Sequence, residues 1–294
     1  MSIRIHALVP LLTAFLGFQN PGPWRVVYEQ GGKLWSVRED GTDSRAEDGK
    51  VPQRGLSPDG KRRAYISTDD GDAEIWVSDA DGKNPKRLTD NKAIDNFPGW
   101  TPDGKRLVFA STRTGRWQIW IMEADGSNPT RLTDHAEGAW DPRVSPGGDR
   151  IAYSELHPES TKLPPRTLRI MNLAGGDVKV LIEKTQMLGH SWGPKGDRIA
   201  CSLVQELRIV EVPSGKAVHS FKFADIHKDL HAHAAHGVTW KPDGKAIACT
   251  IQFLGGRMEG TVVFGDDQVF VLPFEGKPAI IEAGGPASPV RWAR

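Results

Sequence analysis

The sequence predicts an all-β protein, a six-bladed β-propeller built from four-stranded antiparallel blades. Three observations predict it: a turn motif that recurs at a nearly constant interval, the same order of short strands after each turn, and chain ends that complement each other. The composition agrees, because 32 Gly and 21 Pro among 294 residues are typical of a chain rich in tight turns.

The recurring motif is a proline–glycine turn between two short apolar strands. Its copies are LSPDGKRRAYIS from Leu56, WTPDGKRLVFAS from Trp100, VSPGGDRIAYSE from Val144, WGPKGDRIACSL from Trp192 and WKPDGKAIACTI from Trp240. The turn prolines recur at intervals of 44, 44, 48 and 48 residues, at Pro58, Pro102, Pro146, Pro194 and Pro242. Proline presets φ early in the turn, and glycine accepts the left-handed conformation that follows. A repeat of this length indicates a propeller or a solenoid.

Each repeat shows the same order of strands. The turn is followed by an alternating strand such as RLVFAS and a polar loop. A third strand such as QIWIMEAD, a second glycine turn and a short fourth strand such as TRLTD complete the unit. Four antiparallel strands make one propeller blade, so each repeat predicts one blade.

The two chain ends predict how the propeller closes. Pro21 occupies the place of a turn proline, and Trp35 stands six residues before Gly41, as Trp76 does before Gly82. The C-terminal SPVRWAR matches NFPGWTP, which aligns Trp292 with Trp100. We therefore expect the last segment to supply the first strand of a blade whose other strands come from the N-terminus, which removes free sheet edges. Six first strands are counted, ending at Leu56, Trp100, Val144, Trp192, Trp240 and Trp292.

Most of the tryptophans are expected to pack between blades, because bulky aromatics fill the space between twisted sheets. These are Trp100, Trp192, Trp240 and Trp292 on first strands, and Trp35, Trp76 and Trp120 on third strands. Trp117 and Trp140 fall outside this register, and we expect them to be more exposed. Cys201 and Cys249 occupy equivalent strand positions and are interpreted as small buried hydrophobes.

The chain divides into two segments. Residues 1–20 predict a secretory signal, with Arg4 and His6 before an apolar run that is too short to span a bilayer comfortably. Residues 21–294 predict a single propeller domain, periplasmic or secreted, which does not span a membrane after signal cleavage. The net charge of +1 gives no reason to expect nucleic-acid binding. We expect a monomer.

The turn motif, followed by a strand ending in a glycine turn and an R-L-T strand, resembles the TolB-type (WD40-like, PD40) propeller repeat. The resemblance covers roughly Pro21 to Arg294 and implies the fold. The TolB translocation protein carries an α/β domain before its propeller, and we expect this chain to lack it. Its cell-envelope role is therefore not carried over. Similar repeats occur in propellers attached to prolyl-oligopeptidase-type hydrolases, but the chain has no G-x-S-x-G motif, so peptidase activity is not expected.

A ligand site is predicted where the loops before the first strands surround the central channel, since propellers commonly bind there. Aligned on the strands that follow, these loops place six residues near the channel mouth: Asp95, Asn96, Trp140, Asp141, His190 and His236. The alternative is that these residues are polar only because a loop rim is solvated.

The segment HKDLHAHAAHGVTW holds four of the nine histidines. His231 and His233 would face the same side of an extended segment, and His190 and His236 come from adjacent blades. Neutral imidazoles bind transition metals, so His190, His231, His233 and His236 are the candidate ligands of a divalent metal. Oligogalacturonate lyases share this style of repeat and hold a metal with histidines. The resemblance therefore keeps a metal-assisted polysaccharide lyase or hydrolase open, beside a solvated loop without a ligand.

The sequence as a whole favours a non-enzymatic, exported binding or scaffold propeller. The expected ligand is a protein partner or a carbohydrate-like molecule at the loop face. No cofactor is expected in this interpretation, and a divalent metal belongs to the enzymatic alternative.

Overall fold

The computed structural model describes residues 25–30, 33–38, 44–47, 55–69, 71–157, 163–226, 233–253, 268–275, 278–281 and 291–293. The predicted signal, residues 1–20, and His231 lie outside them. In this part of the chain the regular structure is β-strand, apart from one helical turn, α1 (Phe223–Ile226). The all-β class is thereby confirmed.

The described part of the chain contains 23 strands. They are β1 (Arg25–Gln30), β2 (Lys33–Arg38), β3 (Arg45–Glu47), β4 (Arg62–Ser67), β5 (Glu74–Asp79), β6 (Lys86–Arg87), β7 (Asp95–Trp100), β8 (Arg106–Ser111), β9 (Gln118–Glu123), β10 (Thr130–Arg131), β11 (Ala139–Val144) and β12 (Arg150–Leu156). They continue with β13 (Arg166–Asn172), β14 (Lys179–Thr185), β15 (Met187–Trp192), β16 (Arg198–Leu203), β17 (Glu206–Glu211), β18 (Ala217–Lys222), β19 (His233–Trp240), β20 (Ala246–Phe253), β21 (Gln268–Pro273), β22 (Ala279–Ile281) and β23 (Arg291–Ala293).

The described strands form six antiparallel sheets, numbered I to VI in chain order. Their strand orders are β23-β1-β2-β3, β4-β5-β6, β7-β8-β9-β10, β11-β12-β13-β14, β15-β16-β17-β18 and β19-β20-β21-β22. In sheet II an isolated bridge between Leu56 and Arg63 stands where the other sheets have a first strand. In sheet I the C-terminal strand β23 pairs with β1, with Val26 opposite Trp292.

The repeated turn is held by a hydroxyl and a carboxylate that the motif itself supplies. Ser57 Oγ donates to Asp59 Oδ1 over 2.6 Å and accepts from the Arg62 amide over 2.9 Å. The hydroxyl of Ser57, and then the Lys61 amide, hold the pKa of Asp59 below its usual range. Gly60 takes the positive φ of +70° that closes the turn. The S-P-D-G pattern is therefore a local structural device.

Three inner-strand tryptophans tie neighbouring sheets together, as the sequence predicts. Each indole Nε1 donates to a backbone carbonyl of the preceding sheet. That carbonyl belongs to the residue just before the one that takes the tryptophan's place in the preceding repeat. The bonds are Trp100 to Gly55 (2.9 Å), Trp192 to Arg143 (2.8 Å) and Trp240 to Ser191 (3.1 Å). The spacing between the sheets is set by these bonds together with the apolar packing.

The core consists of successive layers between neighbouring sheets, because strand side chains alternate between two faces. In β8, Leu107 and Phe109 pack towards sheet II, whereas Val108 and Ala110 pack towards sheet IV. Similar layers join sheets IV and V and sheets V and VI. This alternating, two-sided burial explains why the repeat strands are almost continuously apolar.

Two sequence expectations meet different outcomes in this core. Cys201 and Cys249 are fully buried free thiols, and burial raises the pKa of Cys249 to about 12, which confirms their interpretation as small hydrophobes. Trp117 and Trp140 are expected to be more exposed than the other tryptophans, but both are partly buried against the layer between sheets III and IV, as Trp100 and Trp120 are against the layer between sheets II and III. Among the described residues no helix has the length and apolar character needed to cross a membrane.

Candidate functional site

The predicted site residues lie on inner strands and not in the loops before them. Asp95 and Asn96 begin β7, Trp140 and Asp141 lie within β11, and His190 lies within β15. The histidine-rich loop is correspondingly shorter than the sequence suggested, because β19 already begins at His233 and contains His236. The inner strands therefore extend further towards the predicted loop face than the repeat pattern indicated.

A bulge in the inner strands explains this difference. The pairing register shifts between Asn96 and Gly99, between Trp140 and Arg143, and between His236 and Thr239. One residue inside each bulge has positive φ: Phe97 at 55°, Asp141 at 51° and Gly237 at 59°. This conformation is uncommon for residues other than glycine. Bulges re-aim side chains, and here the bulge in β11 sets the direction of Asp141.

Asp141 is the centre of a group of residues from sheets IV and V, which we call the Asp141 cluster: Trp140, Asp141, Arg143, Ser154, Arg166 and His190. Asp141 Oδ1 lies 2.7 Å from Arg143 Nη2, and its Oδ2 lies 3.7 Å from His190 Nδ1. The Arg166 guanidinium carbon lies 4.4 Å from the centroid of the Trp140 ring. Arg166 Nη1 donates to the Leu188 carbonyl of β15 over 3.3 Å, which joins the two sheets.

Several polar atoms of the Asp141 cluster are buried and make no hydrogen bond. They are Trp140 Nε1, Asp141 Oδ1, Ser154 Oγ, Arg166 Nε and the ring nitrogens of His190, although the backbone of Ala152 lies near the His190 ring. Asp141 Oδ1 is close to Arg143 but lacks hydrogen-bond alignment. Leaving a buried polar atom unpaired costs about 1–3 kcal/mol. Such a concentration is unusual in a folded protein and indicates a site for a polar ligand or ordered solvent.

Burial decides which residues of the Asp141 cluster are charged at neutral pH. Burial lowers the pKa of His190, against the opposing attraction of the Asp141 carboxylate, so His190 is neutral at neutral pH. Burial also lowers the pKa of Arg166, which remains a cation because the intrinsic value of arginine is so high. The cluster therefore contains two guanidinium groups and one carboxylate, an excess of one positive charge.

Asp95 lies at a comparable place on β7, but its contacts are structural. Its Oδ2 accepts from Arg113 Nη2 over 2.9 Å and from Asn91 Nδ2 over 2.8 Å. Arg113 in turn lies over the ring of Trp120, with 4.7 Å to the centroid. Asn96 Oδ1 accepts from the adjacent Phe97 amide over 2.7 Å. These contacts join the two predicted site residues to sheet III and its loops, and their role in ligand binding stays a prediction.

Phe97 provides the link from sheet III to the Asp141 cluster. Its ring meets Trp140 edge to face, with 5.4 Å between centroids and 78° between planes. Because Phe97 owes its position to the bulge in β7, the orientation of Trp140 depends on both inner strands. The structure therefore brings together Trp140, Asp141 and His190 from the predicted set.

Three residues of the cluster escaped sequence reasoning: Arg143, Ser154 and Arg166. Ser154 lies opposite Trp140 in the β11–β12 pair, and Arg166 begins β13. Only an alignment of the repeats could have drawn attention to Arg166. It stands one residue before the position that Glu74 occupies in sheet II and Gln118 in sheet III. In those sheets the carboxylate or amide accepts a hydrogen bond from a threonine that follows the fourth strand, Thr89 or Thr133.

The predicted metal ligands do not form a recognisable metal centre among the described residues. No group of three or more His, Cys, Asp and Glu side chains in that part of the chain is placed to hold an ion. His190 is enclosed in the Asp141 cluster, His233 and His236 lie on β19, and His231 lies outside the described residues. The metal hypothesis thus remains a prediction.

Comparison with known proteins decides the family. The family model described as the TolB beta propeller domain matches residues 45–212, which is more than half of the chain. The chain belongs to this family. The resemblance inferred from the repeat is thereby confirmed, and the matched region contains the Asp141 cluster.

Individual relatives are more distant. The Tol-Pal system protein TolB of Desulfosudis oleivorans is 48% identical over 40 residues, which is 14% of this chain and 9% of that protein. TolB from Acinetobacter baumannii is 17% identical with a TM-score of 0.60, covering 92% of this chain and 66% of that one. An oligogalacturonate lyase from Vibrio parahaemolyticus is 14% identical with a TM-score of 0.55, covering 85% and 69%. The chain spans less than two thirds of these two TolB proteins, and the structural likenesses concern the fold alone.

Proposed function

We propose that the chain is an exported, non-enzymatic binding protein, folded as a six-bladed propeller that is closed by the pairing of β23 with β1. Support for the closed ring comes from that pairing and from the continuous packing of sheets II to VI. Support for export comes from the signal-like pattern of residues 1–20. The ligand is a protein segment or a carbohydrate-like molecule.

The observation that carries the binding role is the Asp141 cluster. A folded protein rarely leaves several polar atoms of one region buried and unpaired, unless the region serves a purpose beyond folding. The cluster combines an aromatic ring, Trp140, with hydrogen-bond donors from Ser154, Arg166 and His190. Aromatic surfaces and fixed donors are what protein segments and sugars both require of a site.

The experiment is a comparison of ligand capture by the full chain and by variants of the cluster. The immobilised protein is exposed to an envelope extract from its source and to a glycan array. We expect one partner or glycan to be enriched by the wild-type chain and lost with Arg166→Gln, which removes the charge without emptying the site. Arg116→Gln, which changes an exposed residue that pairs with Glu137 on the surface, serves as the matched control.

Two results would contradict the proposal. One is the absence of any partner or glycan enriched by the wild-type protein. The other is equal capture by the wild-type chain and Arg166→Gln, with unchanged melting temperatures, which would place the binding surface elsewhere on the molecule.

A metal-assisted polysaccharide lyase or hydrolase is the second candidate. It is favoured by the histidine-rich segment and by the likeness in fold to the oligogalacturonate lyase from Vibrio parahaemolyticus. In this case His190, His231, His233 and His236 would be the donors, and neutral imidazoles suit a divalent transition metal. Purified protein would then contain a metal that is lost in the double variant His231→Ala, His233→Ala. A metal-free protein whose melting temperature does not respond to Mn²⁺, Zn²⁺ or Ca²⁺ would exclude this candidate.

A further inference from the structure

A cavity of about 660 Å³ lies between sheets V and VI, at the other end of the inner strands from the Asp141 cluster. It is called the V/VI cavity here. Its walls include Lys195, Arg198, Trp240, Lys241 and Phe274. The volume lies within the range of about 300–1,000 Å³ that is usual for small-molecule sites.

The same place is filled by the protein itself at the junction of sheets II and III. There the Arg62 guanidinium carbon lies 4.6 Å from the Trp100 ring centroid, and its Nη2 donates to the Gly104 carbonyl over 2.9 Å. The residues at the equivalent repeat positions of sheets V and VI are Arg198, Trp240 and Gly244, and they line the V/VI cavity. The V/VI cavity thus lies at the equivalent junction between sheets V and VI, and there the space remains open.

Two lysines enter the V/VI cavity where the repeat has other residues. Lys195 replaces the turn aspartate found at Asp59 and Asp103, and Lys241 replaces the turn hydroxyl of Thr101. The side chain of Lys241 is only 11% exposed, and its Nζ lies 3.4 Å from Asp243 Oδ2. A lysine so deeply enclosed is uncommon. Two adjacent turns therefore bring extra positive charge to one cavity.

The apolar wall also departs from the repeat. Phe274 occupies the position that is Ala80 in sheet II and Ala124 in sheet III. Its ring meets Trp240 at a centroid distance of 5.7 Å and an angle of 71°, which forms an aromatic corner. The Trp240 ring lies against Gly193, where an added Cβ would be 3.5 Å from two of its atoms. The aromatic corner therefore depends on Phe274, which stands where other repeats have alanine, and on Gly193, which leaves room for the Trp240 ring.

We propose that the V/VI cavity binds a small organic anion, a carboxylate or phosphate carried on an aromatic ring. The aromatic body fits against Trp240 and Phe274, and the anionic group faces the lysines. The charged residues of the lining number four cations against three carboxylates: Lys195, Arg198, Lys241 and Lys245 against Asp197, Asp243 and Glu275. This excess favours an anion over a cation. The site is separate from the Asp141 cluster and does not depend on the proposed function.

The test uses variants that restore the residues of the other repeats. Benzoate and phenyl phosphate are titrated into the full chain by calorimetry, with benzyl alcohol and benzylammonium as neutral and cationic probes. We expect saturable binding of the anions, with a dissociation constant on the order of a millimolar or tighter. Lys195→Asp and Phe274→Ala should each weaken it about tenfold. Lys105→Gln, the equivalent of a Lys245 change at another junction, should leave it unchanged.

The outcomes that would overturn the proposal are distinct. Absence of saturable anion binding would overturn it, as would equal binding of benzyl alcohol, which would indicate apolar adsorption alone. Wild-type affinity in both Lys195→Asp and Phe274→Ala would place the anion elsewhere. Lys195 is exposed in a turn, so its variant should fold, and melting temperatures measured beside the titrations verify this.

Discussion

The Asp95 region and the Asp141 cluster occupy similar parts of two neighbouring inner strands, yet they differ in how their polar groups are satisfied. Asp95 Oδ2 is bound by Asn91 and Arg113 of the adjoining loops, so the contacts of this carboxylate are local, and only its Oδ1 is buried without a partner. The Asp141 cluster draws Arg166 and His190 from two different sheets and leaves Arg166 Nε and the ring nitrogens of His190 without an aligned hydrogen bond. One predicted rim of polar residues thus contains a structural ion pair and a candidate binding site.

The largest expected effect is on the structural side of this comparison. Asp95→Ala removes the partner of Arg113 from a carboxylate position that is fully buried, which leaves a poorly compensated cation. Breaking such a pair costs about 3–5 kcal/mol of unfolding free energy, and urea unfolding measures it. Asp81→Ala, which breaks the exposed contacts with Lys83, is the control and should lower the midpoint much less. Equal midpoints for the two variants would show that Asp95 is not structural.

A smaller effect is expected where a neighbouring sheet supports the Asp141 cluster. Trp192→Phe removes the indole donor to the Arg143 carbonyl and should lower the free energy of unfolding by about 1–2 kcal/mol. Ligand capture should fall as well, because Arg143 is held beside Asp141. Trp100→Phe removes the equivalent bond to Gly55 and should affect stability without affecting capture. If both variants reduce ligand capture equally, the loss follows from lower stability of the whole fold, and Trp192 does not specifically support the Asp141 cluster.

The dependence on pH should distinguish His190 from the partly buried histidines. Because burial lowers the pKa of His190, the unfolded chain takes up a proton at a higher pH than the folded chain does. The contribution of His190 to the free energy of unfolding is greatest above about pH 6.5, the pKa in the unfolded chain. It falls by about 1 kcal/mol per pH unit as the pH decreases towards the lower pKa in the folded protein. Urea midpoints at pH 7.5 and 5.5 measure this fall.

His190→Gln should flatten that pH dependence. His219→Gln is the comparison variant: burial also lowers the pKa of His219, but this side chain on β18 is less buried than His190, so its replacement should flatten the pH dependence to a smaller degree. An unchanged slope for His190→Gln would mean that His190 titrates in the folded protein much as it does in the unfolded chain. The ring nitrogens of His190 would then give no support for a binding site at the Asp141 cluster.

The fold was predictable because the repeat encodes it locally. The hydroxyl and carboxylate of each turn lie two residues apart, as in Ser57 and Asp59, so the turn forms from neighbours in sequence. Alternating apolar residues in strands such as β8 then determine two-sided packing. The candidate site was predictable only in part. Trp140, Asp141 and His190 were found, whereas Arg166 and Ser154 were not, since a single polar residue in an apolar strand has no distinctive pattern.

The sequence by itself determined the family, the order of strands and the packing of the inner tryptophans, because these depend on periodic positions and short-range turns. Only the tertiary structure decided which polar residues meet. Asp141 reaches His190 because a bulge gives it positive φ, and Arg166 reaches Leu188 because sheet IV lies against sheet V. The openness of the V/VI cavity is decided in the same way, by how two adjacent sheets pack and not by either repeat alone.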